Sequence, residues 1–367
     1  MFFAIILLIA VSLQLCMIQS YVPRKNQNNR IFWIIGLQLS FIFGFRHLLV
    51  LPDTLGYYYH FNDVTQSSIF SIDKSDRFEI GYLVFEKFFH NYISSDFLVY
   101  NIFTTGFILF SSMYFFKRHS PRMWICVLLF IASKILYSDL IALRQGISIG
   151  IILLSFRYIE EKRKVKSIIC ILFACSFHSS ALIMMFVAFL YWFRNTQKKK
   201  MLYLMICSTV IIFVSFQSLL VFHYGVDSDS NYLRSATETG FFNLVGIFNT
   251  IISIGLMWYI RKQRQILDEV SITPLYLTSI FFVLVSILSI RLFVISRYLL
   301  YLYPFTILYI SQLYDKSSNL QSAKYYMKLL ISFMVINYVY ILYTKPEWTF
   351  YQNFRFWSYD IISYPSL

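Results

Sequence analysis

Residues 167–193 read SIICILFACSFHSSALIMMFVAFLYWF. The run is longer than the roughly 20 apolar residues that carry a helix across about 30 Å of hydrocarbon, and Ser176, His178, Ser179 and Ser180 interrupt its middle. Basic residues crowd both ends: Arg157, Lys162, Arg163, Lys164 and Lys166 before it, Arg194 and Lys198 to Lys200 after it. Short loops rich in Lys and Arg stay on the cytoplasmic side. A single crossing would separate these two clusters, so 167–193 is expected to be a re-entrant or broken hairpin that carries His178 toward the outer side and returns.

Outward from this hairpin, apolar runs of spanning length lie at about 1–19, 31–51, 97–116, 122–139, 141–158, 201–222, 241–260, 274–290, 294–313 and 326–343. The chain has 58% apolar and 14% charged residues, against about 45–50% and about 25% in soluble domains. That balance excludes disorder and most cytosolic enzymes. The expected fold is an all-α polytopic integral membrane protein with roughly ten to twelve transmembrane helices, forming a single transmembrane domain over 1–367. Residues 1–19 lack a basic n-region and an A-x-A-like cleavage site, so a retained first span is expected rather than a removed signal peptide.

The net charge of +14 has its source in short clusters between apolar runs. Further clusters are Arg24, Lys25 and Arg30; Lys117, Arg118 and Arg122; Arg261, Lys262 and Arg264; and Lys316, Lys324 and Lys328. With the N-terminus outside and a hairpin at 167–193, every cluster falls on the cytoplasmic side, so membrane topology accounts for the charge and no nucleic-acid partner is expected. The acidic residues collect on the other side. There, 52–96 is expected to be an outer loop whose stretch EIGYLVFEKFFHNYI, from Glu79, forms an amphipathic helix with Glu79, Glu86 and Lys87 off its apolar face.

Several outer-side residues are placed to do chemistry. Arg144, in SDLIALRQGISIG after Asp139, either snorkels to the interface or faces a cavity and binds an anion, with Gln145 and Gly146 adjoining it. Arg291 and Arg297 bracket IRLFVISR. With Arg46 they complete four arginines beside apolar segments, a cage suited to a diphosphate because a guanidinium matches phosphate oxygens bidentately. His178 is either satisfied by backbone carbonyls or is a cavity-facing group that holds substrate or moves a proton. Pro52 is expected to end the second span and free Asp53 for a loop or a helix N-terminus, with Arg46 reaching the same region if the intervening segment stays helical. The five cysteines, Cys16, Cys126, Cys170, Cys175 and Cys207, lie in apolar runs and read as buried small residues. No DxD, HExxH, GxSxG, Walker-A or CxxC pattern is present, and no metal or cofactor is expected; the acids Asp227 and Asp229 are the one weak metal alternative.

The ordered set FGFR…DTLGYYYHF, FEIGYLVFEKF, LRQGISIGIILLSF, CSFHSSALIMM and SRYLLYLYPF, running over most of 30–310, closely resembles the EpsG family of bacterial polysaccharide polymerases, related to Wzy-type O-antigen and capsule polymerases. The resemblance implies a GT-C-like polymerase fold in the bacterial cytoplasmic (inner) membrane, with its active site toward the periplasm or cell exterior. It implies an enzyme that transfers a growing glycan from undecaprenyl diphosphate to the non-reducing-end hydroxyl of a newly delivered lipid-linked repeat unit. Its partners would be that donor and acceptor, membrane lipids, a chain-length regulator and a flippase. Carried onto matching positions, Arg46 is the arginine after the second span, and Asp53, Tyr57 and Tyr59 are the acidic and aromatic positions that follow. Glu79 and Tyr82 are the next such patch, Arg144 precedes the small-residue span, His178 is the histidine of the H-S-A-like signature, and Arg297 is the late arginine. The local LPDTLGYY departs from the GxDY-like form of the family around Asp53.

The chemistry expected of these residues divides in two. Arg144 and Arg297 would stabilise the departing diphosphate, while His178, Asp53 or Glu79 would orient or deprotonate the acceptor hydroxyl. Arg46, Tyr57, Tyr59, Glu79, Tyr82, Gln145 and Arg291 would bind substrate. Direct displacement inverts the anomeric carbon, and no carboxylate stands out as the nucleophile that retention needs. A lipid-to-glycan ligase shares this chemistry and differs in product size. A lipid-linked oligosaccharide transporter would spread ionisable residues across the membrane or show paired repeats, and an acyltransferase would take its donor from the side opposite His178.

Overall fold

The computed structural model describes residues 2–63, 78–132, 135–192, 251, 255, 274–291, 296–316, 321–344 and 354–357. Among these residues every regular element is a helix, and the only β pairing is an isolated bridge between Arg46 and Phe356. Two compact units are interleaved along the chain: Met1–Tyr158, Val165–Leu182 and Phe333–Leu367 in the first, Ile159–Lys164 and Ile183–Ser332 in the second.

The first unit begins with α1 (Phe2–Tyr21) and α2 (Arg24–Gly44), separated by Pro23, which cannot continue the α1 hydrogen-bond ladder. After a 3-10 turn at Leu48–Val50 come α3 (Thr54–Asn62), α4 (Ile80–Tyr92) and α5 (Phe97–His119). Asp96 caps α5 by accepting from the Leu98 amide at 2.8 Å, and Lys117, Arg118 and His119 sit against its C-terminal dipole. Then follow α6 (Met123–Ala132), α7 (Ile135–Ile141), α8 (Leu143–Glu160) and α9 (Lys164–Phe177). Within this mostly apolar bundle, Thr104, Ser111 and Ser112 return their hydroxyls to carbonyls one turn back, so no polar group is stranded by their burial.

Asn28 accepts from the Met123 amide and donates to the Ser120 carbonyl, which ties the start of α2 to the α5–α6 turn. Asn101, one turn into α5, donates to the Gly44 carbonyl at 2.8 Å, so α2 and α5 run antiparallel. Near the other end of α8, Phe156 packs on Phe115 and His119. These contacts gather Arg24, Lys25, Arg30, Lys117, Arg118, Arg122 and Arg157 at one end of the unit. The opposite end carries Arg46, Glu79 and Arg144.

Helix α2 ends at Gly44, several residues before Pro52, because the chain beyond finds other partners. The Phe43 carbonyl accepts from Arg46, the Trp357 amide donates to Phe45, and the His47 amide donates to Arg355. The intervening segment is therefore not a continuous α-helix, and Arg46 does not share a helical register with Asp53. Of residues 122–139, expected as one span, the described helical parts are α6 and α7, and a bend at Ala142 separates α7 from α8. On α4 the buried face is Tyr82, Leu83, Glu86 and Phe89, so Glu86 lies on that face and not off it.

Helices α1 and α5 contain stretches, Phe3–Tyr21 and Phe97–His119, long and apolar enough to cross a membrane. Large apolar side chains also face outward in stripes: Ile6, Ile9, Leu13 and Met17 on α1; Trp33, Ile34, Leu37 and Phe41 on α2; Val165, Ile169, Leu172 and Phe173 on α9. Cys16 shares the outward face of α1 and is exposed, whereas Cys126 is buried and Cys170 and Cys175 are half-buried; Cys207 lies outside the described residues.

The run at 167–193 breaks where its hydroxyls and histidine fall. Helix α9 stops at Phe177, a 3-10 turn takes Ser179–Leu182, and α10 (Ile183–Trp192) opens the longer segment of the second unit. That unit adds α11 (Pro274–Arg291), α12 (Ser296–Lys316) and the start of α13 (Gln321–Thr344). Phe186 of α10 packs tilted on Phe281, and Phe282 packs edge-on to Tyr303.

Candidate functional site

Three segments far apart in sequence meet at Glu79. Its Oε1 accepts from His178 Nδ1 at 2.8 Å and from the Ser179 amide at 3.3 Å, while Oε2 pairs with Arg144 Nη1. Each partner has a local reason to be there. Glu79 is the extended residue that opens α4, Arg144 lies in the first turn of α8, and His178 is the residue at which α9 stops.

Two glycines permit the approach. A Cβ on Gly81 would lie 2.2 Å from Ser176 Oγ and 2.7 Å from the Ser176 carbonyl oxygen, so the first turn of α4 rests directly on the end of α9. A Cβ on Gly146 would lie 2.1 Å from the Asp139 carbonyl oxygen, so the start of α8 is pressed against α7. Ser148 of α8 donates to the Ala174 carbonyl of α9 at 2.8 Å, which fixes Arg144 and His178 in one frame.

Aromatic rings line the pair. The Arg144 guanidinium lies 4.3 Å from the centre of the Phe78 ring, and the Tyr57 hydroxyl also hydrogen-bonds Arg144. Tyr57 packs against Phe78 and Tyr82. Burial raises the Glu79 carboxyl, but the His178 hydrogen bond and the Arg144 charge outweigh it and hold the group at about 2. It is ionised at any physiological pH. Side-chain exposure is 22% for Glu79, 21% for Arg144 and 10% for His178, so the ion pair reaches solvent while the imidazole is largely covered. The second imidazole nitrogen, Nε2, is 3.3 Å from Ser180 Oγ.

The residues brought together here are those of FEIGY, ALRQG and SFHSS, three segments spread over residues 78–180. The EpsG family model matches residues 29–361. The chain belongs to the EpsG family. No curated protein and no solved structure matches it. Membership of the EpsG family associates the chain with glycosyltransferase-like polysaccharide polymerases.

The other expected site residues of this EpsG-family chain are placed variously. Arg46 is fully buried, and its guanidinium donates to the Phe43 carbonyl, Thr105 Oγ1 and the Leu140 carbonyl, joining α2, α5 and α7. Asp53 is exposed at the start of α3, where its side chain makes no cap hydrogen bond, and its charge is felt at Tyr57. Tyr59 is 56% exposed, its ring against Tyr58. Gln145 is buried beside Arg144. Arg297 is exposed at the start of α12 in the second unit, and the side chain of Arg291, like Asp227 and Asp229, lies outside the described residues.

A second carboxylate–histidine pair lies beside the first. Glu86, two turns after Glu79 on α4 and fully buried, accepts from the Tyr82 hydroxyl at 3.1 Å through Oε1, and its Oε2 lies 2.6 Å from His60 Nδ1. His60 also packs on Phe78, ring centres 4.5 Å apart. His60 and Phe78 are not among the residues the sequence singles out, and Glu86 is expected only off the apolar face of the amphipathic helix. The seven-residue interval from Glu79 to Glu86, nearly two full helical turns, was the signal that both carboxylates share a face. Among the described residues no group of three His, Cys, Asp or Glu side chains is placed to hold a metal ion.

Proposed function

We propose that this chain is a multi-pass glycosyltransferase of the bacterial cytoplasmic membrane that polymerises undecaprenyl-diphosphate-linked repeat units at the outer face. The observation that carries this reading is the convergence of Glu79, Arg144 and His178 at the end of the first unit opposite its basic clusters. Support for several crossings comes from the outward apolar stripes on α1, α2 and α9, which lipid would cover. The GT-C-like arrangement and the return of 167–193 to its starting side belong to the same proposal.

In this reaction the acceptor hydroxyl attacks the anomeric carbon of the donor glycan, and the bond to the diphosphate breaks with its electron pair leaving on undecaprenyl diphosphate. Charge develops on the leaving oxygen, and Arg144 is the group to meet it. Glu79 and Tyr57 hold the edge of its guanidinium and Phe78 covers one face, so its rotamer entropy is already spent before substrate binds. Glu79 also holds His178, whose nitrogens face Glu79 and Ser180; His178 orients the site through these bonds. The exposed Arg297 is the second candidate for the diphosphate. Asp53 and Tyr59, exposed on either side of Tyr57 in sequence, are candidate sugar contacts, and one-step displacement inverts the anomeric carbon.

The test is to incubate purified protein in lipid nanodiscs with a defined undecaprenyl-diphosphate repeat unit and to resolve the products by length. A ladder of multiples with release of undecaprenyl diphosphate is expected. A single transfer that does not extend would assign the chain as a ligase, and movement of intact lipid-linked units without transfer would assign it as a transporter.

A further inference from the structure

Helices α2 and α5 run side by side in the first unit, and at the basic end their seam changes character in steps. A Cβ on Gly36 would lie 3.6 Å from Met113 Cγ, so the two helices meet closely there. Beside that contact Arg30, Trp33, Ile34, Leu37 and Phe41 all face outward from α2, at the three- and four-residue spacing of one helical stripe. On α5 the residues Phe103, Phe110 and Lys117 recur every seven positions and share a face, with both phenylalanines exposed and the lysine half-buried. Rings join the two stripes. Phe32 packs edge-on to Trp33 and to Phe110, with centroids 5.0 and 5.8 Å away, and Phe110 stacks on Tyr114. The Lys117 amine lies 4.5 Å above the centre of the Phe32 ring.

Read along the axis from the basic end, this surface offers cations, then amphipathic and aromatic rings, then purely apolar side chains. That is the order of a bilayer leaflet: headgroup, interface, acyl chain. The length agrees as well, since Arg30 and Phe41 are eleven residues apart, or roughly 16 Å of helix, against roughly 15 Å of hydrocarbon in one leaflet.

The charge at the top of the seam calls for an anion from outside these helices. Residues 1–52 and 97–138 contain no Asp or Glu, so α1, α2, α5 and α6 bring no carboxylate to Arg30, Lys117 and Arg118. Farther on, Glu161 is paired with Arg163. A lipid phosphate sits at the depth of these cations, and a guanidinium matches its oxygens in pairs. A free phosphate would leave the apolar stripe below it unexplained.

We propose that the α2–α5 seam binds an anionic phospholipid of the leaflet at the basic end, its phosphate held by Arg30 and Lys117 and its acyl chains lying along Trp33, Leu37, Phe41 and Phe110. This rests on the membrane-spanning part of the reading above and not on the transfer chemistry.

The experiment mixes purified full-length protein in mild detergent with phosphatidylglycerol or phosphatidylcholine of the same acyl chains and counts bound lipid by native mass spectrometry. Wild type is expected to keep one phosphatidylglycerol under conditions that strip phosphatidylcholine. Arg30→Gln combined with Lys117→Gln is expected to weaken phosphatidylglycerol about tenfold or more, whereas Lys117→Arg alone keeps it. Lys164→Gln combined with Lys166→Gln removes the same charge from another basic cluster and is expected to leave the tightly held lipid in place. Inorganic phosphate in excess is expected not to displace it. Equal retention of the two lipids by wild type, equal loss in the Lys164 and Lys166 pair, or release by inorganic phosphate would overturn the site; the last two would assign diffuse surface charge and a soluble-anion site respectively. Protein that washes off cell membranes in carbonate and stays monodisperse without detergent would overturn the membrane reading, and this proposal with it. A membrane-embedded wild type indifferent to headgroup charge overturns the lipid site alone.

Discussion

Arg144 touches a carboxylate, a phenol and an aromatic face at once, which a planar guanidinium can do and a point-like ammonium cannot. Arg144→Lys keeps the charge and loses that fixed geometry, so turnover with a defined lipid-linked donor is expected to fall about 10²-fold at normal abundance. Unchanged turnover would remove Arg144 from the reaction. Glu79 makes a separate, signed prediction. Its carboxyl is held at about 2 against the usual 4.5, so the stability it contributes is fully present above that usual value and is lost as pH falls toward 2. The gap in thermal midpoint between wild type and Glu79→Gln should therefore hold level from pH 7 to about pH 5 and narrow from there to pH 3. A gap that stays constant or widens between pH 5 and pH 3 would mean that the ion pair does not stabilise the fold.

At the scale of elements, the site depends on how closely α4 lies on the end of α9. Gly81→Val places side-chain atoms where Ser176 already stands, and lifting α4 would draw Glu79 away from His178. The expected result is folded protein with strongly reduced polymerisation. Adding Ser176→Gly should recover part of it, because that change removes the Oγ and Cβ clashes and leaves the one with the carbonyl. A Gly81→Val variant with normal activity would show that the α4–α9 contact does not set the site. Gly146→Ala acts on α7 and α8 instead; its Cβ meets the Asp139 carbonyl and Ile108, and overpacking of this kind costs roughly 1–3 kcal/mol. A thermal midpoint unchanged from wild type would contradict it.

For the whole molecule, the prediction is one of sidedness. Asn28 bridges Ser120 and Met123, and Phe156 packs on His119, so the basic clusters of the first unit share one end whatever the membrane does. Single cysteines introduced at Asn26, Lys162 and Thr196 in a background lacking the native cysteines should label from the cytoplasm, and those at Ser95 and Ser230 from outside. Labelling of Thr196 and Ser230 from the same side would refute the hairpin at 167–193.

Hydropathy and charge alone determine a helical chain, the approximate place of most described helices, and the break at His178, because burying apolar surface and seating Lys and Arg in water are demands each segment meets by itself. They also pick out Arg144 and His178 as unusual, while Glu79 enters through the resemblance to the family. Other features depend on distant partners. Helix α2 stops at Gly44 because Arg46, Asn101 and Trp357 satisfy the backbone there, and no local pattern records that. Arg46 looks like an anion ligand in sequence and is a buried tie between helices in the fold. The approach of His60 to Glu86 is likewise a tertiary outcome: the two lie on different helices, and only the packing of α3 on α4 brings the imidazole against a buried carboxylate.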